Sequence, residues 1–230
     1  MIDILMYITV KSLRMIFKLL GSWGINMIKA ILFDFDGVLT TDATGSQSIC
    51  NYICMKTGLD AQVFKKEYYK YNNDLLYGKT NHENIWEALC KGLNTKIGIS
   101  ILYESFINTP IDSKMIAIID RLKKQNYKIG MVTDNKKDRI EDIVKYYDWK
   151  KKFDAITISA DVGSGKDYSE IFVKIIECLN LTANECVFID NQEKNLIIPE
   201  GMGMNVIYFN HTKRNYDELI REFKSLSIVF

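Results

Sequence analysis

The stretch Lys29–Thr40 constrains this chain more than any other. An apolar run, Ala30-Ile31-Leu32-Phe33, leads into Asp34-Phe35-Asp36-Gly37 before the sequence turns away through Val38-Leu39-Thr40. A short continuous apolar run closed by a turn residue fits a strand buried on both faces, as in a parallel sheet, although periodicity alone also allows a buried helical segment. Two carboxylates at its end carry a cost. Desolvated like charges two residues apart raise each other's proton affinity unless a cation, hydrogen bonds or a shared proton offsets them. A divalent metal site is the expected compensation.

The pattern recurs downstream. A helix is expected over Ile111–Gln125, and Tyr127–Asn135 then reads as an apolar strand ending in hydrogen-bonding residues, Thr133 and Asn135 among them. Ala155–Ser159 is the next strand, followed by the loop Asp161–Lys166 and a helix near Ser169–Leu179. Cys186–Asn191 follows, with Glu193, Lys194 and Asn195 just beyond, and a strand at Asn205–Phe209 and a helix at Tyr216–Leu226 close the pattern. Strands alternating with helices predict a parallel sheet covered on both faces and joined by right-handed crossovers. Ligands of such sheets sit outside the carboxyl ends of the strands, near a switch in strand order. Asp34, Asp36, Thr133 and Asp190 all fall at predicted carboxyl ends.

Between Thr40 and Ile111 the strand pattern lapses. Ser46–Lys56, Ala61–Tyr71, Asn81–Lys91 and Ile99–Phe106 carry apolar residues at helical spacing and are separated by glycines, so a small helical insert is expected. Tyr68, Tyr69, Tyr71, His82 and Trp86 lie within it, and packing or solvation of the helices is their expected role. His82, close to a helix start after Thr80-Asn81, is expected to cap or to face solvent.

The chain is 230 residues long, enough for one large domain or a core with a smaller insert. Its 30 basic and 29 acidic residues nearly cancel, which gives no broad basic field for nucleic acid and no acidic tail. Five scattered cysteines, an odd number, suggest reduced thiols and a cytoplasmic setting. Cys50 and Cys54 stand at i, i+4 spacing, but with no histidine nearby they are read as packing residues. Residues 1–26 are apolar yet interrupted by Asp3, Lys11, Arg14 and Lys18, so no uncharged run approaches the roughly 18–20 residues of a membrane span. They are read as an N-terminal extension of a domain that begins near Met27, an amphipathic surface or partner helix being the other reading.

From about Met27 to Phe209 the sequence resembles the haloacid dehalogenase-like hydrolases, in the branch whose helical cap is inserted after the first core strand. Four signatures appear in order: Asp34-Phe35-Asp36-Gly37-Val38-Leu39, Thr133 ending a strand, Lys166 before a helix, and Asp190-Asn191 ending a later strand. The resemblance implies a Rossmann-like core of three α/β/α layers at 27–41 and 112–230, an all-helical cap at 42–111, an acid nucleophile and a magnesium ion. Asn191 stands where many relatives carry a second carboxylate, and Asp167 where they commonly carry proline. The first removes a charge beside the metal, so metal affinity is expected to be lower or Asn191 to act through its amide oxygen or water; the second affects only loop stiffness.

Phosphoryl transfer explains why such residues belong together. A phosphomonoester repels an attacking carboxylate, so a metal and several donors must neutralise it before Asp34 approaches in line. Asp34 is the expected nucleophile, forming an aspartyl phosphate. Asp36 is placed to protonate the leaving oxygen and then to activate water. Thr133 and Lys166 offer a hydroxyl and a point charge to the phosphoryl oxygens, with Asn135 as a further binding residue. By the resemblance, magnesium would be held by Asp34, Asp190 and the backbone carbonyl of Asp36, with Asn191, Glu193 and Asn195 as supporting groups. Asp36 also favours phosphate substrates, because the dehalogenases of this family lack an acid at that position. A magnesium-dependent phosphatase of a small phosphorylated metabolite is therefore expected. A sugar phosphomutase and a non-catalytic binding or regulatory protein that kept the fold are the alternatives.

Overall fold

The structure is a computed structural model and describes residues 27–230; the expected extension at 1–26 lies outside the described residues. Five parallel strands, β1 (Ala30–Phe33), β2 (Lys128–Thr133), β3 (Ala155–Ile158), β4 (Cys186–Asp190) and β5 (Asn205–Tyr208), form one sheet in the order β3-β2-β1-β4-β5. The chain runs outward from β1 through β2 to β3, then returns to the other side of β1 for β4. That reversal opens a crevice between β1 and β4, where Phe33 pairs with Ile189. The next residue of each strand is an aspartate, Asp34 and Asp190.

Every residue of β1 is buried, and its side chains divide between two cores with the period of two that a pleated strand imposes. Ile31 and Phe33 join the larger core, while Ala30 and Leu32 pack on the other face with Phe172, Ile175 and Phe188. A strand buried on both faces explains the unbroken apolar run. The layers are those of a Rossmann-like α/β/α fold.

Between β1 and β2 the chain forms helices α1 (Gly45–Thr57), α2 (Ala61–Tyr68), α3 (Asn72–Leu76), α4 (His82–Gly92) and α5 (Ile99–Ile107). The connectors that leave and re-enter the core lie side by side: Thr41 N donates to Pro110 O at 3.0 Å and Asp112 N to Leu39 O at 2.8 Å. Arg214 ties this joint together. Its guanidinium donates to the carbonyls of Gly37 (3.1 Å), Val38 (2.8 Å) and Thr40 (3.0 Å) and is ion-paired with Asp112.

Beyond the insert come α6 (Ser113–Lys124), α7 (Lys137–Tyr146), α8 (Ser159–Val162), α9 (Glu170–Leu179), α10 (Ile197–Gly201) and α11 (Tyr216–Ser225). Among the described residues no helix is long and apolar enough to cross a membrane.

His82 corrects the sequence reading. Asn81 supplies the helix cap, its side chain accepting from Asn84 N at 2.9 Å. His82 itself is fully buried between insert and core, within 2.8 Å of Asp138 through Nδ1 and within 2.8 Å of the Tyr68 hydroxyl through Nε2. Burial lowers its proton affinity, against the pull of Asp138. Burial also keeps Tyr68 a phenol. Tyr68 therefore donates to a neutral imidazole, which donates in turn to Asp138. Cys50 is buried and free, its thiol pushed up to about 12 by burial, in keeping with a packing role.

Candidate active site

Asp34 follows the last residue of β1, and its backbone N–H still donates to Ile189 O at 2.9 Å, so its position is held by the sheet itself. The chain then tightens into a helical turn at Phe35–Leu39, with Asp34 Oδ1 accepting from Phe35 N at 2.7 Å. Gly37 adopts φ +82°, and a Cβ there would lie 2.3 Å from Asn191 Nδ2. Glycine therefore lets the β1 turn close on the β4 turn.

Lys166 joins the two strand ends. Its Nζ lies 2.8 Å from Asp34 Oδ1 and 2.6 Å from Asp190 Oδ2, with all three side chains nearly inaccessible. Burial opposes the ammonium, but Asp34, Asp190 and Asp134 outweigh it and hold Lys166 protonated well above its ordinary range. Burial raises Asp34, and Lys166 pulls it back. Asp190 is fixed further by Gln192 N at 2.7 Å and by Asn195 Nδ2 at 3.1 Å from both carboxylate oxygens.

Asp36 lies in a separate set of contacts. Its Oδ2 accepts from Arg139 Nη1 at 2.9 Å and from Asn135 Nδ2 at 2.7 Å, and its Oδ1 from Arg139 Nη2 at 3.0 Å. This is the bidentate fork that guanidinium geometry favours. Asn135 Nδ2 also donates to Thr133 Oγ1 at 3.2 Å, which links Asp36 to the end of β2.

Asp34, Asp36, Thr133, Lys166 and Asn195 share a cavity of about 170 Å³ at the carboxyl edge of the sheet. The insert supplies its other wall through Thr44, Gly45, Ser46, Tyr69, Asn72 and Leu76. Lys136 reaches in from the core, its buried Nζ donating to Ser46 Oγ at 2.6 Å. Burial, followed by the Arg139 charge, brings Lys136 down to about 8.

The donors at the crevice suit a hard cation. Asp34 and Asp190 present carboxylate oxygens, and the buried Oδ1 of Asn191 has no hydrogen-bond partner. Among the described residues no group of three or more His, Cys, Asp or Glu side chains is gathered to hold a metal. Two carboxylates with neutral oxygens fit an ion that retains much of its water shell.

The structure thus brings Asp34, Lys166, Asp190 and Asn195 into one bonded cluster and Asp36, Asn135 and Thr133 into a second, with Asp34, Lys166 and Asn195 of the first and Asp36 and Thr133 of the second lining the same cavity. Asn191 is buried against Gly37. Glu193 stands apart, exposed at the start of the turn Glu193–Leu196. Sequence reading missed Lys136 and Arg139. Both adjoin the strand-end Thr133-Asp134-Asn135 in the sequence, but the helix that begins at Lys137 carries only a scattered apolar pattern amid charges.

The sequence model of the family described as haloacid dehalogenase-like hydrolase matches residues 28–198. The chain belongs to that family. Comparison with curated protein sequences finds no match. Among solved structures, a HAD-like family hydrolase from Porphyromonas gingivalis is similar at a TM-score of 0.65 and 19% identity, covering 86% of this chain and 98% of the other. A HAD family enzyme from Bacteroides thetaiotaomicron, in a mutant complex with magnesium and inorganic phosphate, aligns at TM-score 0.65 and 15% identity over 79% of this chain and 94% of the other. An L-2-haloacid dehalogenase from Xanthobacter autotrophicus, with chloropropionic acid covalently bound, aligns at 0.60 and 18% over 89% and 85%. At these identities the likeness is one of fold.

Proposed function

We propose that the protein is a magnesium-dependent phosphatase that hydrolyses a small phosphorylated metabolite through an aspartyl phosphate on Asp34, with 42–111 acting as the cap. The observation that carries this reading is the buried Asp34–Lys166–Asp190 cluster at the strand switch, facing the same small cavity as Asp36. Similarity to an enzyme held with magnesium and phosphate supports it, and Asp36 favours it over dehalogenation.

Asp34, Asp190 and the Asp36 carbonyl would hold magnesium, with Asn191 contributing directly or through water. When bound, the ion would neutralise charge on the phosphoryl oxygens. Lys166 and Thr133 orient the phosphoryl group and spread its charge. Asp34 attacks phosphorus as the bond to the leaving oxygen breaks, and that oxygen takes the departing electron pair and a proton from Asp36. Asp36 then accepts a proton from water, whose oxygen bonds to phosphorus and releases inorganic phosphate and the Asp34 carboxylate.

The test is phosphate release from nitrophenyl phosphate and a panel of sugar phosphates, nucleotides and small phospho-acids. Activity is expected with magnesium, and loss to background with a chelator or with Asp34→Asn. Turnover that survives Asp34→Asn would overturn the reading. Labelling of Asp34 by a bisphosphosugar without net phosphate release would point to a mutase instead.

A further inference from the structure

Asp36 is the residue on which acid–base chemistry depends, yet neither of its carboxylate oxygens is free of the protein. Arg139 and Asn135 place three donors on them. Three donors occupy most of the acceptor sites of a carboxylate and fix its orientation. To reach a leaving oxygen it must give up part of that grip.

The grip lies at the joint between core and insert. Arg139 is fully buried, and its Nη2 also donates to Thr109 Oγ1 at 3.1 Å, on the connector that returns from the insert. On the outgoing side Gly45, the first residue of α1, lies against the ion pair. A Cβ on Gly45 would stand 2.1 Å from Arg139 Nη1 and 2.8 Å from Asp36 Oδ2. Phe35 packs beneath the guanidinium, its ring centroid 5.2 Å away. Both connectors thus close on one buried ion pair, and a shift of α1 or of Thr109 must disturb it.

We infer that Arg139 is a positioning residue that latches Asp36 away from the leaving group, with the latch set by the seating of α1 and the Thr109 connector. This rests on the phosphatase reading for its consequence but not for its geometry. Release of Asp36 matters most for alkyl phosphates, whose leaving oxygen needs a proton, and little for nitrophenyl phosphate.

The test compares wild type, Arg139→Met, and Thr109→Val, which removes one anchor of the guanidinium but leaves the ion pair. The readouts are kcat for an alkyl phosphate relative to nitrophenyl phosphate, and backbone hydrogen exchange over 44–48. The latch predicts a rise of about tenfold or more in the alkyl-to-nitrophenyl ratio for Arg139→Met, a smaller rise for Thr109→Val, and cancellation of both when Asp36→Asn is added. It also predicts faster exchange over 44–48 in both single variants. An unchanged or falling ratio, with both rates reduced in parallel, would reduce Arg139 to a structural role and overturn the inference. Unaltered exchange would overturn it even in a protein with no turnover. Altered exchange in a protein that hydrolyses no phosphate ester would instead preserve the latch and remove the phosphatase reading.

Discussion

Replacing Lys166 by methionine keeps much of the side chain's volume and removes a charge that two buried carboxylates share. Its Nζ lies 2.8 Å from Asp34 and 2.6 Å from Asp190, whose side chains are 6% and 0% exposed. Removing one partner of a buried ion pair costs about 3–5 kcal/mol, because the other charge stays desolvated. Here one cation serves two anions, so the upper end of that range is expected in the presence of a chelator. A domain typically has about 5–15 kcal/mol of stability to lose, so the variant should fold. With a urea slope near 3 kcal/mol/M, its midpoint should fall by about 1–2 M. Magnesium should restore much of this, because the two uncompensated carboxylates bind it more tightly than the neutralised pair does. Stabilisation follows RT ln(1 + [L]/Kd), or about 2.7 kcal/mol at a hundredfold excess over Kd. The deficit should narrow on acidification, as one of the crowded carboxylates takes up a proton. Urea unfolding with chelator and with magnesium is the assay. A variant within about 1 kcal/mol of wild type in chelator, or a magnesium-induced shift no larger than that of wild type, would refute the electrostatic account of the cluster.

His82 is held neutral by burial at the contact between insert and core. Its folded proton affinity is below the unfolded value, so the unfolded chain binds the extra proton and stability should fall as pH drops below about 6.5. Asp138 bonds the imidazole and faces it together with Lys136 and Arg139, and its own lowered affinity adds a loss at more acid pH. Urea midpoints at pH 7.5 and 5.5 should therefore differ more in wild type than in His82→Gln, and equal differences would contradict this. Lys136, lowered to about 8, is one of the cations lining the cavity. KM for an anionic substrate should rise as pH passes about 8 and the ammonium is lost, and Lys136→Met should flatten that rise; an identical profile in the variant would exclude the contact.

Much of the core was legible because a parallel sheet converts chain order into position. Each crossover brings the next strand back in the same direction, so a polar residue after an apolar run lands on the same edge as every other such residue. Asp34 and Asp190 are far apart in sequence but follow paired residues, Phe33 and Ile189. Lys166 lies on a loop and Asn195 on the short helical turn Glu193–Leu196, both following a strand, so their meeting with the strand ends needs little beyond topology. The helices of the insert were legible from spacing, whereas Asn72–Leu76 is too short to show a period.

What escaped the sequence depends on long side chains crossing between elements. Arg139 reaches Asp36 across 103 residues of chain, and His82 reaches Asp138 across 56. An arginine in a charged helix ordinarily means a solvated face, and a histidine after Asn81 means a helix start. No local pattern distinguishes these two, because burial came from the insert folding down on α7. The second layer of the site is therefore a product of the core–insert contact. Residues proposed to bind the phosphoryl group were readable from the core alone, while those proposed to govern Asp36 exist as a group only once α1 and Thr109 are seated against Arg139. On that argument, substitutions at the joint should alter the handling of the leaving group, and substitutions at Lys166 or Asp190 the handling of the metal and the phosphate.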